Sequence, residues 1–225
     1  MLEQWLVWER DLFFALNGSD FEWLDRVMWI YTGKMVWLPL AALILFLLFY
    51  KRDWREAILV LLMIALVVTL CDQFASHVCK PLFTRFRPTH HPDFADQVKT
   101  VFGYRGGKYG FISSHAANAF GFAVFMSLLF RDRLFSCLII LWAVVVSYSR
   151  IYLGVHFITD IVPGALSGVV FGLLVYYFYG WIRQRWLHRR DLPYSHERSR
   201  WISWGIGITL VGVILLNPVL ISFLK

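Results

Sequence analysis

Apolar residues gather along this chain into six long runs, at about 30–50, 55–79, 112–130, 134–152, 158–181 and 201–221, separated by shorter polar breaks. A bilayer core of roughly 30 Å is crossed by about 20 apolar residues in a helix, so each run predicts a membrane span. The third and fourth runs are short, and their ends are expected in the interface or buried in protein. Ahead of them, Leu2, Trp5, Leu6, Leu12, Phe13 and Leu16 recur at a helical period, with Glu9 interrupting the stripe. Residues 2–16 therefore predict a helix lying in the membrane interface, closed by a turn at Asn17-Gly18-Ser19-Asp20. The expected fold class is all-α: a polytopic membrane protein, a six-transmembrane-helix bundle with an N-terminal interfacial helix, forming one domain over residues 1–225.

Composition strengthens that picture. Of the 225 residues 59% are hydrophobic and only 16% charged, with a mean hydropathy of +0.59; a soluble domain is about 45–50% apolar and about 25% charged. Disorder is excluded and a soluble globule disfavoured. The net charge of +7 would suit nucleic acid, but the basic residues sit in short clusters between apolar runs, so no nucleic-acid partner is expected. Cys71, Cys79 and Cys137 lie in or beside apolar runs and read as packing residues. The first residues lack a basic stretch leading into an apolar run and a cleavage site, so no removable signal peptide is expected.

Charge also orients the bundle. Three breaks, Lys51 to Arg55, Arg131 to Arg133 and Arg183 to Arg200, share one face when there are six spans, and they hold eleven of the 22 basic residues. The opposite face holds the other eleven, but three of these, Lys80, Arg87 and Arg150, belong to a polar constellation with its own reason to be basic. Setting them aside leaves eleven against eight, which assigns the three breaks to the cytoplasm. The expected location is a bacterial inner or plasma membrane, with the constellation facing the periplasm or exterior. The segment Pro88–Gly110 is the sizeable polar stretch on that face. Its Arg105–Gly110 part reads as a flexible basic loop suited to an anionic head group, or simply as a solvated one. His90, His91 and Asp93 have no second cluster at ligand spacing, so no metal and no cofactor are expected.

The constellation has three parts, each at a span end. Lys80 and Arg87-Pro88 leave the second span; as isolated cations at a membrane surface they would simply snorkel. Ser113, Ser114 and His115 begin the third, with Ser113 as N-cap and the free amides after it forming an anion site. Ser149-Arg150, His156 and Asp160 follow the fourth. Four residues apart, His156 and Asp160 are placed on one helix face within hydrogen-bond reach. A carboxylate on one ring nitrogen sets the tautomer and frees the other nitrogen to attack. Asp72 and Ser76 share a helical face with Lys80 and are candidates to support it, and Gly164, Gly168 and Gly172 form a ridge suited to close helix packing.

These segments resemble the signature of the type 2 phosphatidic acid phosphatase superfamily: K-x6-R-P over residues 80–88, P-S-G-H over 112–115 and S-R-x5-H-x3-D over 149–160. Every fixed position of the first and third is met; in the second, Ile112 and Ser114 stand where the signature has proline and glycine. The resemblance implies a metal-independent lipid phosphatase. His156 would be the nucleophile that forms a phosphohistidine, and Asp160 would orient it. His115 would protonate the leaving oxygen and then activate water, while Lys80, Arg87, Arg150, Ser113 and Ser114 would bind the phosphate. The implied partners are the bilayer and a membrane lipid phosphate: undecaprenyl diphosphate, lipid A or phosphatidylglycerophosphate. The alternatives are a lipid phosphotransferase, sharing the covalent step but passing the group to another alcohol, and a non-catalytic lipid-phosphate binding or transport protein. A soluble vanadate-dependent peroxidase is remote, given this composition.

Overall fold

A computed structural model of the chain describes residues 2–189, 191 and 194–224, with side chains described within 7–223. The side chains of Leu2, Trp5 and Leu6, and Arg190 of the basic break, lie outside the described residues. Helices α1 (Leu2–Leu16), α2 (Glu22–Thr32), α3 (Leu38–Phe49), α4 (Trp54–Gln73), α5 (Lys80–Phe83), α6 (Ser114–Phe130), α7 (Arg133–Tyr152), α8 (Ile158–Trp186) and α9 (His196–Leu224) carry the architecture, and no strand forms among the described residues. The protein is an all-helical, integral membrane protein.

Four helical stretches are long and apolar enough to cross a bilayer: Trp54–Phe83, Arg133–Tyr152, Ile158–Trp186 and His196–Phe223. Glu22–Thr32 and Met35–Phe49 make a fifth if taken as one bent span, and α6 adds a shorter apolar helix of 17 residues, about 26 Å long. The first apolar run therefore differs from the continuous helix its hydropathy suggested. It starts earlier, at Glu22, and breaks after Thr32 with a 65° bend. Gly33 caps α2, and Pro39 lies in the first turn of α3, the one place in a helix where its missing N–H costs nothing. Two other boundaries move outward: α8 runs on to Trp186 and α9 begins at His196, so both ends of the basic segment Arg183–Arg200 are helical.

Helix α8 displays the inverted amphipathicity of a membrane helix. Val162, Leu166, Val170, Leu174, Tyr177 and Trp181 point outward and are exposed, whereas Gly164, Gly168 and Gly172 are buried. The expected glycine ridge is the seam against α6, the most extensive helix–helix contact in the bundle. Lipid is as apolar as any leucine, so close backbone approach has to hold helices together. At Gly168 a Cβ would stand 2.3 Å from the Ala117 carbonyl oxygen, leaving no room for any side chain. Helix α6 is further flanked by α4 and α7, while α9 packs on α2, α3 and α7. The bond from the Ser113 N–H to the Asp160 carbonyl joins the N-terminal ends of α6 and α8, and the short link from Tyr152 to Ile158 puts the C-terminal end of α7 beside them.

Gly168→Ala should destabilise the protein by about 1–3 kcal/mol through overpacking, read as a lowered melting temperature in detergent by tryptophan fluorescence. Gly180→Ala, on the same helix with nothing within 4 Å of the added Cβ, should leave the melting temperature unchanged or raise it slightly.

Candidate active site

Ser113 anchors the site. It is fully buried, and its hydroxyl accepts from the Ala116 N–H at 3.4 Å, the N-cap expected of it. Its own N–H donates across the helix seam to the Asp160 carbonyl oxygen at 3.0 Å, while the Ala117 N–H returns to the Ser113 carbonyl at 3.0 Å. The amides of Ser114 and His115 therefore open α6 without intrahelical acceptors, and the helix dipole adds partial positive charge there. Together they make an open, electropositive helix start behind the N-cap that the sequence pattern predicted.

The His156–Asp160 pair forms by a route other than the shared helix face expected from its spacing. His156 precedes the helix, Phe157 is the N-cap, and Asp160 is the third residue of α8. The carboxylate folds back: Oδ2 accepts from the Phe157 N–H at 3.0 Å and stands 3.3 Å from His156 Nδ1. Helix-start geometry thus brings the two side chains together, and Nε2 is left as the free ring nitrogen. His156 is 1% exposed. Burial, followed by the fields of Arg87, Arg150, Lys80 and Arg85, holds its pKa well below the usual histidine value. A ring held below that value is uncharged at neutral pH.

Three cations converge on this corner. Arg150, at 2% exposure, donates from Nη1 to the Thr32 hydroxyl at 2.6 Å and from Nη2 to the Tyr104 hydroxyl at 3.0 Å, while its buried Nε has no partner. Arg87 is buried and donates from Nε to the Tyr109 carbonyl at 3.0 Å. Lys80 follows a π-helical turn, Phe74–Cys79, and donates to Ser76 Oγ at 3.2 Å, with Ser76 3.5 Å from Asp72. The Asp72–Ser76–Lys80 ladder read from the sequence is present despite that turn. Among the described residues none of the three cations has a carboxylate within ion-pair distance. Tyr104 lies between Arg150 and Arg87: burial raises its pKa, but the two arginines outweigh that and pull it down.

Sequence reasoning missed Arg85 and Glu9. Arg85 Nη1 donates to Asp160 Oδ1 at 2.9 Å and to the Thr159 hydroxyl at 2.7 Å, and its Nη2 to Glu9. The Thr159 hydroxyl also donates to Glu9. Arg85 occupies an unspecified position of K-x6-R-P, and Glu9 looked like a flaw in an apolar stripe, so neither carried a signal by itself. The glycine-rich loop, read as flexible, packs its backbone onto the site: a Cβ on Gly110 would meet Asp160 Oδ2 at 3.0 Å and Arg87 Cγ at 3.2 Å. His115 and Ser114 face a cavity of about 400 Å³ that also touches Thr32, Lys34, Asp72 and Asn118. No group of three His, Cys, Asp or Glu side chains that could hold a metal occurs among the described residues.

Comparison with known proteins agrees with this chemistry. Residues 57–184 match the family described as the PAP2 superfamily. A lipid A 4'-phosphatase of Porphyromonas gingivalis is 48% identical over 188 residues, covering 83% of this chain and 79% of that protein. A lipid A 4'-phosphatase of Bacteroides thetaiotaomicron is 43% identical over 170 residues, covering 75% and 76%. The crystal structure of Aquifex aeolicus LpxE aligns with a TM-score of 0.55 at 26% identity, over 73% of this chain and 92% of that one.

Three buried or half-buried cations without carboxylate partners should bind a simple anion. Inorganic phosphate at about ten times its Kd should stabilise the detergent-solubilised protein by about 1.4 kcal/mol, and Arg150→Gln should abolish that shift in melting temperature.

Proposed function

The chain belongs to the PAP2 superfamily and is a membrane lipid phosphatase; on that footing we propose that it removes the 4'-phosphate of lipid A at the outer membrane–water interface. The observation that carries the reading is the cluster of uncompensated cations, Lys80, Arg87 and Arg150, beside a neutral, carboxylate-oriented histidine. Buried charge without a partner is costly, so this corner is built for an anion. The His156–Asp160 pair adds chemistry that binding alone does not need. Lipid A, as against undecaprenyl diphosphate or phosphatidylglycerophosphate, is favoured by the activity named for the two relatives above.

In this reading the phosphoryl oxygens rest against Lys80, Arg87, Arg150 and the Ser113–Ser114 turn. His156 Nε2 bonds to phosphorus as the bond to the leaving oxygen breaks, and His115 supplies the proton that oxygen takes. Water then attacks the phosphohistidine, giving its proton to His115, and the N–P bond breaks to release phosphate. The cations and helix-start amides stabilise charge on the equatorial oxygens throughout, which leaves a divalent metal no task. Residues 1–225 act as one catalytic domain with six crossings: the bent α2–α3 pair, α4 with α5, α6, α7, α8 and α9. Helix α1 lies in the interface and the site faces the periplasm. An apolar wall of Trp37, Val68, Phe122, Trp142 and Val146 lines the cavity beside His115. A second cavity of about 180 Å³ shares Trp37, Phe122 and Trp142, and the pair offers the lipid chains a path into the bilayer.

The test is phosphate release by the detergent-purified protein, with EDTA present, from lipid A, undecaprenyl diphosphate, phosphatidylglycerophosphate and phosphatidate. Release should be fastest from lipid A, should leave the 1-phosphate in place, and should vanish in His156→Ala. Faster turnover of another lipid would reassign the substrate, and activity in His156→Ala would remove the nucleophile. The low pKa of His156 sets a further expectation: with the substrate's own titration corrected, the acid limb of kcat/KM should fall below pH 6.5, because the ring stays neutral and competent there.

A further inference from the structure

Asp160 divides its two oxygens between two tasks. Oδ2 serves the Phe157 N–H and His156 Nδ1, and Oδ1 is held by Arg85 at 2.9 Å. Asp160 is fully buried, so a guanidinium this close is its chief counter-charge. A carboxylate fully neutralised in that way would do little for His156 when bond formation at Nε2 turns the ring into an imidazolium. Glu9 changes the balance. It is 7% exposed, pairs with the far side of the same guanidinium and also accepts from Thr159. The charges of Glu9, Arg85 and Asp160 sum to −1, and an imidazolium at His156 brings the group to neutrality. Without Glu9 the imidazolium would form beside the neutral Arg85–Asp160 pair, in the field of Lys80, Arg87 and Arg150.

Glu9 is supplied by α1, and that helix is held to the site end by contacts of its own. Phe13, 1% exposed, meets the Phe157 ring edge-on at 5.3 Å between centroids. Asn17 donates to the carbonyls of Tyr152 at 2.9 Å and Lys99 at 3.0 Å, which sets α1 against both the end of α7 and the polar loop. Arg85 in turn lies over the Phe157 ring at 4.6 Å. The interruption in the apolar stripe of α1 is the residue that reaches the catalytic pair.

We propose that Glu9 and Arg85 are positioning residues that act through Asp160 on His156, so that the docking of α1 sets the rate of the chemical step. The proposal rests on His156 being the nucleophile. It places a required part of the catalytic machinery outside residues 57–184, the stretch that matches the family.

The experiment compares kcat and KM for phosphate release from lipid A in detergent micelles by the full-length chain. Glu9→Gln keeps the shape and removes the charge. It should lower kcat about tenfold, the effect of about 1.36 kcal/mol of lost transition-state stabilisation, with KM within about twofold of the parent. Arg85→Lys should also lower kcat, and the double variant should fall short of the product of the single losses, because the two residues act in one chain. Glu9→Asp should recover part of the rate. If Glu9→Gln fails to fold, as judged by gel filtration and melting temperature, Thr159→Val serves instead, removing one of Glu9's two contacts with a smaller loss in kcat. A kcat unchanged in the folded variants, or a loss confined to KM, while His156→Ala is inactive, would overturn the proposal alone. Activity in His156→Ala would overturn it together with the nucleophile assignment.

Discussion

The close approach of α6 to α8 governs the rest of the molecule. Both helices begin at the same end of the bundle, and their first turns are joined by the bond from the Ser113 N–H to the Asp160 carbonyl. One helix start offers open amides and the other a carboxylate for His156, so the proposed phosphate cradle and the proposed nucleophile are placed by a single packing event. Gly164, Gly168 and Gly172 make it possible by removing the α8 side chains where the α6 backbone comes closest. At Gly164 an added Cβ would lie 2.7 Å from the Ser113 carbonyl oxygen. A branched residue there would part the two helix starts as well as loosen a contact in the core. In a bilayer, where apolar side chains gain nothing by leaving lipid, such steric fit is the main available source of precision.

Charge is handled in opposite ways at the two ends of the bundle. At the far end Arg183 is buried, but it donates to Glu56 at 2.9 and 3.0 Å and to Asp191 at 2.9 Å, and Tyr179 donates to the same glutamate. That network is closed and its role is to tie α4 to α8. At the site end the cations keep hydroxyls and carbonyls as partners, and Arg150 keeps one donor with none. The nearby buried carboxylate, Asp160, is engaged by Arg85 and His156. The two ends of the bundle thus hold similar buried guanidinium groups, accompanied by carboxylates at Arg183 and by hydroxyls and carbonyls at Arg150 and Arg87.

The segments legible in the sequence were those whose physics is local. The all-helical apolar character, the Ser113 cap, the glycine ridge and the order of the cations all follow from runs, spacings and helix-end chemistry. The His156–Asp160 contact was legible too, though for a different reason: the pair forms at a helix start and not along a helix face, and both geometries bring positions four apart into reach. What could not be read was whatever depends on distant segments meeting. The 65° bend after Thr32 sits inside a single apolar run, and hydropathy does not register direction. The docking of Glu9 on Arg85 joins residues 76 apart, and the packing of Gly110 against Asp160 turns a loop that looked solvated into part of the wall.

The two departures from the P-S-G-H signature show how a motif can change while its physics holds. Glycine is indispensable where φ is positive or where a neighbour occupies the Cβ position. Ser114 meets neither condition: it opens α6 as an ordinary helical residue, and serine there keeps the amide while adding a hydroxyl. Proline before a capping serine restricts the backbone entering the helix. Ile112 achieves placement by burial instead, 3% exposed and packed with Ala75, Cys79 and Phe111 beneath the π-helical turn that leads to Lys80. The signature's first and second segments are therefore joined through Ile112 by a hydrophobic contact. The cost of losing the proline's rigidity is met by anchoring the turn to the same helix that delivers the lysine.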